Sequence, residues 1–412
     1  MRRVRWVVFC LAAAVIWPAW AGGPVFSDSG PDAAAYGAAQ GYPVGSRAVP
    51  VPQSAMVGHY SHFADMYPHR VAAEASVPSV WRRAEAELSL TYSYAGATHD
   101  LPDYLSHNPV TGLLIAHDDT ILFEHYQYAR TDRDQFLSQS MAKTIVAMLM
   151  GIAVREGAVR SIEQPAADYV PALAGSEYGK TPIRALLHMA SGVAFKEVYD
   201  APGDNQRLNE MLFDRNNPGT AQAIAVFNTR EALPDTRFRY AGSQSEVLGL
   251  VVSQAVKMPL TEYLRTRLWQ PMGAEADAAW TIDTAGQETG FCCISAVLRD
   301  WARVGMMLAN DGAWNGHQIV PRQWVLDATT AQAPFLRPGL ATPFFGYGYQ
   351  TWLFPGPRRQ FAFLGIHGQA IFVDPVSKLV LVHTAVRVKA SQDPAALELR
   401  ALWDALVAKV GG

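Results

Sequence analysis

Apolar and polar positions follow two rhythms along this chain, and the switch between them marks its elements. "TGLLIAHDDTILFEHYQYAR" (111–130) holds two β-rich apolar runs parted by "HDDT", which predicts a hairpin. "QAIFVDPVSKLVLVHTAV" (369–386) has the same form, with "DPVSK" as the turn. Between them the rhythm is helical. "FLSQSMAKTIVAMLMGIAVREGAV" (136–159) reads as a polar opening that runs into a long apolar helix. "TPIRALLHMASGV" predicts a short helix stopped by Ser191-Gly192, and "YAGSQSEVLGLVVSQAVKM" a turn followed by a buried helix. "AVLRDWARVGMMLANDGAWNG" predicts an amphipathic helix ending in a Gly-rich turn, and "DPAALELRALWDALVAKV" a last helix. Strands at both ends with helices between them imply an α/β (α+β) chain. One antiparallel sheet would be built from the N- and C-terminal parts and flanked by helices, with a helical subdomain inserted at roughly 150–290. Clefts form where such parts meet.

The N-terminal region obeys neither rhythm. "MRRVRWVVFCLAAAVIWPAWAGG" has a basic start, an apolar run from Trp6 to Trp17 and a small-residue site, Ala19-Trp20-Ala21. That is the layout of a secretory signal peptide cleaved after Ala21, with an uncleaved anchor as the alternative. The expected location is therefore outside the cytoplasm, periplasmic or secreted. Residues 22–58, rich in Gly, Ala, Pro and Ser, read as a flexible lead-in to a domain over 59–412.

Composition narrows the function classes. Half of the 412 residues are hydrophobic and only 17% are charged, which is ample for a large core. With 34 Lys plus Arg against 37 Asp plus Glu, no basic field exists to hold nucleic acid. No segment after the leader is long and apolar enough to span a membrane. Export permits disulfides, yet apart from Cys10 the only cysteines are the neighbours Cys292-Cys293, which make no framework. They read as two small buried thiols, with a redox or metal role as the alternative. Zinc-type Cys/His spacing is absent, so neither a metal nor an organic cofactor is expected.

The lone lysine of the 136–159 helix carries the candidate chemistry. Residues three apart share a helical face, so Lys143 neighbours Ser140. Serine is a poor nucleophile at neutral pH, and a buried lysine whose pKa is lowered can take its proton. At a helix start, unpaired N–H groups also face the developing negative charge. As a bare pattern S-x-x-K is common, and a capping serine with an outward lysine is the alternative. Two further elements give it context. Tyr240, before a turn in "FRYAGSQSEVLGLVV", can relay a proton beside a lysine, or simply pack. Gly365 and Gly368, in "FLGIHGQAIFVDP", mark a strand whose backbone a ligand can approach closely.

In this order the elements resemble the serine β-lactamase/penicillin-binding superfamily, from about Gly112 to His383. Within it the chain looks closest to the branch of class C β-lactamases, family VIII esterases and 6-aminohexanoate-dimer hydrolases. "SQSMAKT", "TPIRALLHMASGV", "GFCCISAVLRDWARVGMML" and "GIHGQAIFVDP" are similar to the last type. The resemblance implies a β-lactamase/DD-peptidase-like fold, Ser140 as acylated nucleophile, Lys143 as its proton acceptor and Tyr240 as acid and base. It also implies an oxyanion hole from the N–H groups of Ser140 and Ile366, and Tyr199 of "KEVYDAP" near a substrate amide. Gly365 and His367 would border the substrate, although a His367 satisfied by backbone is equally consistent. Two departures matter. Gly242 stands where class C β-lactamases carry the Asn of Tyr-x-Asn, and Phe363-Leu364-Gly365 stands where they carry Lys-Thr-Gly. A penicillin carboxylate finds no cation there.

The expected activity is therefore hydrolysis of a small amide or carboxylic ester through an acyl-serine. The alternatives are a DD-peptidase or β-lactamase, and a non-catalytic binding or sensor protein on the same fold. A Ser-His-Asp enzyme would need a G-x-S-x-G elbow, which does not occur.

Overall fold

The computed structural model describes residues 22–47, 50–199 and 201–411. The leader read at 1–21 lies outside the described residues. A nine-stranded sheet forms the centre. Its middle runs Thr120–Tyr126, Val110–His117, Leu379–Ala385, Gln369–Asp374, Phe361–Gly365, Trp352–Leu353, Gly346–Tyr347, each pair antiparallel. The two hairpins read from sequence thus lie side by side, joined by the Val382↔Leu114 register.

The strand runs are nearly continuously apolar because both faces of the sheet are covered. Leu114, Ala116, Ile371, Val373, Val380 and Val382 face one core. Alternate residues Leu113, Ile115, Phe372, Leu379 and Leu381 face the other. The first core lies under the helices Ala142–Arg155, Gly242–Val256 and Leu298–Ala309. The second lies under Leu101–His107 and the C-terminal helix Ala395–Val410. Helix Leu298–Ala309 is amphipathic, as its pattern predicts, yet its polar side is buried as well. Its polar residues are covered by a neighbouring loop: Asp300 pairs with Arg303 at 2.8 Å and accepts the N–H of Glu275 at 2.9 Å. The short helix after Thr181 ends at Leu187, before Ser191-Gly192, because Met189 adopts φ +54°.

Two sequence expectations are corrected here. The stretch 22–47 is not a flexible lead-in. Val25–Phe26 adds a parallel edge strand beside His125–Tyr126, Tyr36 and Tyr42 are buried, and the Tyr36 hydroxyl donates to the Val386 carbonyl at 2.7 Å. A few aromatic anchors order a segment whose composition, averaged over its length, looks unstructured. Order therefore begins well before His59, and Met56–Ser61 is already a buried helix. The second correction concerns Cys292 and Cys293, which are buried but are not two thiols: a disulfide joins them.

A smaller sheet has the order His69–Ala72, Ala278–Thr281, Ile294–Ala296, Phe136–Leu137. It matters for the site because it fixes the chain immediately before Ser140.

Candidate active site

Strand Phe136–Leu137 delivers the chain to Ser138, whose N–H donates to the Ile294 carbonyl at 2.7 Å and whose hydroxyl accepts the Ile294 N–H at 3.0 Å. Gln139 then takes φ +46°, in the left-handed region that non-glycine residues seldom occupy. A short 3-10 turn over Gln139–Met141 leads into the α-helix from Ala142. This abrupt entry sets Ser140 at the helix N-terminus, facing a cleft of about 410 Å³.

Lys143 lies one turn further and is 2% exposed. Its Nζ donates to Ser140 Oγ at 2.8 Å and to the Phe291 carbonyl at 2.7 Å, and it lies 5.1 Å from the Tyr240 ring centre. Burial brings its pKa down from 10.5 to about 8, against the opposing pull of Glu197 and Glu246. The amine is thus mostly protonated at neutral pH, with a neutral fraction within easy reach. Burial first, and then Glu197, push the Tyr240 phenol up, while the nearby Ser140 hydroxyl acts the other way. That phenol is a proton donor at neutral pH.

Tyr240 stacks on Trp352, with ring centres 5.3 Å apart. Tyr199 also lines the cleft, and its hydroxyl donates to the Glu197 carboxylate at 2.7 Å. The other Glu197 oxygen accepts the Gly242 N–H at 2.8 Å, at the start of the buried helix that follows Tyr240. A side chain at Gly242 would point toward that carboxylate and Phe291.

Gly365 ends the strand that forms the opposite lip. A Cβ there would lie 2.7 Å from the Ser138 carbonyl and 2.9 Å from the Gln139 Cβ. Only glycine lets this strand approach the loop that carries Ser140 so closely. Ile366 and Leu364 border the same cleft, whereas Phe363 points into the core. His367 is not among the lining residues. At φ +61° its Nδ1 meets the Arg387 carbonyl at 2.6 Å and its ring meets Tyr60 edge-on. The substrate-bordering role expected of His367 gives way to the backbone-satisfied one, because the turn between two strands aims its ring at the neighbouring backbone.

The structure thus gathers Ser140, Lys143, Tyr240, Tyr199, Gly365 and Ile366 at one cleft and leaves His367 outside. Sequence reasoning missed Glu197, Phe291 and the aromatic wall of Phe345 and Trp352. Phe291 lies within a motif already singled out, but a main-chain carbonyl leaves no mark in the identity of its residue. Among the described residues, no group of three His, Cys, Asp or Glu side chains is arranged to hold a metal ion.

A helix-start serine bonded to a buried amine, opposite a glycine-bearing strand edge, is the layout of serine hydrolases on the β-lactamase fold. Residues 104–402 match the Beta-lactamase family model; the chain belongs to that family and is a serine hydrolase. It is 27% identical to a 6-aminohexanoate-dimer hydrolase of Paenarthrobacter ureafaciens over 291 residues, 69% of this chain and 74% of that one. A Bacillus anthracis protein assigned as a 6-aminohexanoate-dimer hydrolase superposes with a TM-score of 0.78 at 21% identity, over 86% of this chain and 94% of that one. EstCE1, a hydrolase with promiscuous acyltransferase activity, gives a TM-score of 0.58 at 15% identity, over 72% and 93%.

Proposed function

We propose that this chain is an exported hydrolase that cleaves small linear amides or carboxylic esters through an acyl-Ser140 intermediate. The observation that carries the reading is the 2.8 Å bond from Lys143 Nζ to Ser140 Oγ in a site that burial keeps dry enough to lower the amine's pKa to about 8. Neutral Lys143 takes the Ser140 proton as the hydroxyl attacks the substrate carbonyl. The N–H groups of Ser140 and Ile366 receive the oxyanion. Tyr240 gives its proton to the leaving nitrogen or oxygen and regains one from protonated Lys143, so that water can repeat the sequence on the ester. Tyr199, which lines the cleft and is held by Glu197, is read as the tyrosine near the substrate amide.

Amides resembling the aminohexanoate dimer are the favoured substrates, on the strength of the relative named for that activity. Leu364 lines the cleft where penicillin-recognising relatives of this fold carry a polar side chain, so β-lactams and cell-wall peptides fit less well. Export rests on the leader's layout. The test is a screen of the purified protein against p-nitrophenyl esters, a linear aminohexanoate dimer and nitrocefin, with Ser140→Ala as control. Turnover of the first two, slow nitrocefin cleavage and loss of fluorophosphonate labelling in the variant are expected. Rapid nitrocefin cleavage, or labelling that survives Ser140→Ala, refutes the reading.

A further inference from the structure

The segment Gly290–Ile294 touches Lys143 itself and the loop that carries Ser140, and the disulfide sits at its middle. On one side, the Phe291 carbonyl accepts Lys143 Nζ at 2.7 Å, and its carbon is bonded directly to the Cys292 nitrogen. On the other, Ile294 exchanges two hydrogen bonds with Ser138, two residues before the nucleophile. Between them, Cys292 and Cys293 close a ring through their own peptide, with Cα atoms 3.7 Å apart. Cys293 is held at φ +76°, a region that L-residues avoid. The flanks are pinned as well. The Gly290 N–H donates to the buried Glu246 carboxyl at 2.7 Å, the Thr289 hydroxyl to the Cys292 carbonyl at 3.1 Å, and the Thr281 N–H to the Cys293 carbonyl at 3.1 Å.

We propose that the Cys292–Cys293 disulfide is a positioning element for the Ser140–Lys143 pair, so that its reduction reversibly lowers turnover. The inference rests on the proposed acyl-serine chemistry and adds a redox control to it. The step is an ordinary exchange: a thiolate of a small dithiol attacks one Sγ and breaks the Sγ–Sγ bond, and its second thiolate releases the other Sγ. Two electrons and two protons pass to the protein, leaving two thiols and one oxidised dithiol. Freed of the ring, Cys293 can leave φ +76°. The Cys292 amide then turns, and the Phe291 carbonyl moves off Lys143 Nζ. An ammonium gains more from a carbonyl acceptor than a neutral amine does, so this loss changes the amine's proton affinity as well as its position.

The experiment compares one purified protein in its oxidised, dithiol-reduced and reoxidised forms. Intact mass reports the two added hydrogens, and a fluorophosphonate titrates Ser140. The double variant Cys292→Ala/Cys293→Ala serves as the permanently open form. Reduction is expected to lower kcat on a p-nitrophenyl ester roughly tenfold, because displacements well under 1 Å already erode a near-attack geometry. KM should change little, the rising limb of the pH–rate profile should move to lower pH, and reoxidation should restore both. The double variant should match the reduced form and ignore dithiol. If the dithiol fails to open the bond, the variant decides the matter; if the variant fails to fold, the reduced protein does. An open form, confirmed by mass or by sequence, that keeps the oxidised kcat and pH limb overturns the inference and leaves the hydrolase reading standing. An oxidised form that neither turns over ester nor takes up phosphonate removes both.

Discussion

Raising the pH is the most direct probe of Lys143. With its pKa near 8 instead of the ordinary 10.5, the neutral fraction is about one tenth at pH 7 and about one hundredth at pH 6, and it reaches one half at pH 8. If neutral Lys143 is the base, kcat/KM on a p-nitrophenyl ester should climb roughly fiftyfold from pH 6 to pH 8 and level off above pH 9. An unperturbed lysine would hold only about one neutral amine in three thousand at pH 7, so burial supplies roughly three hundredfold of the available base. Lys143→Arg sharpens the test, because a guanidinium cannot give up its proton in this range. Activity should fall by about a hundredfold or more and the rising limb should vanish. The same shift has a sign in stability. The folded pKa lies below the unfolded one, so the unfolded chain binds more protons between pH 8 and 10.5, and stability should rise with pH across that window. The buried ammonium therefore costs about 3 kcal/mol at pH 7, from 2.5 pKa units, to keep a reactive amine in place. A wild-type profile that stays flat from pH 6 to 9, or a Lys143→Arg enzyme within about tenfold of wild type, refutes the assignment.

Tyr240→Phe should keep the stack on Trp352 but remove the proposed proton relay, lowering kcat about a hundredfold with a larger loss on amides than on esters in parallel steady-state assays. Gly365→Ala places a methyl against the Ser138 carbonyl; the strand must move, and both Tm and kcat/KM should drop, with a stability loss of about 1–3 kcal/mol by denaturant titration. Tyr36→Phe removes the hydroxyl that reaches Val386 and should lower stability by about 1 kcal/mol at nearly unchanged kcat; no change in the denaturation midpoint would mean that residues 22–47 contribute little to stability.

How much was legible depended on whether the information lay in side-chain identity or in main-chain position. Both hairpins, the long helices and the Ser140–Lys143 neighbourhood could be read because period and spacing are local properties of the chain. The small sheet could not, since its strands of two to four residues carry no period and pair across long stretches of sequence. Tyr36 and Tyr42 were hidden for a related reason: isolated anchors vanish in the average composition of a Gly- and Pro-rich segment. His367 illustrates the limit at the site itself. Sequence places it beside the cleft, and a left-handed φ decides that its ring turns away.

By itself, then, the sequence determined an apolar helix beginning at a serine, a lysine one turn along the same face, and strands able to flank it. Backbone geometry and hydrophobic period act over a few residues, and nothing distant is needed to establish them. Whether that lysine loses its charge easily was decided only by folding. Burial, the Phe291 carbonyl, Glu197 and Glu246 come from parts of the chain that meet solely in the tertiary structure, and a pKa responds to everything within a few ångströms.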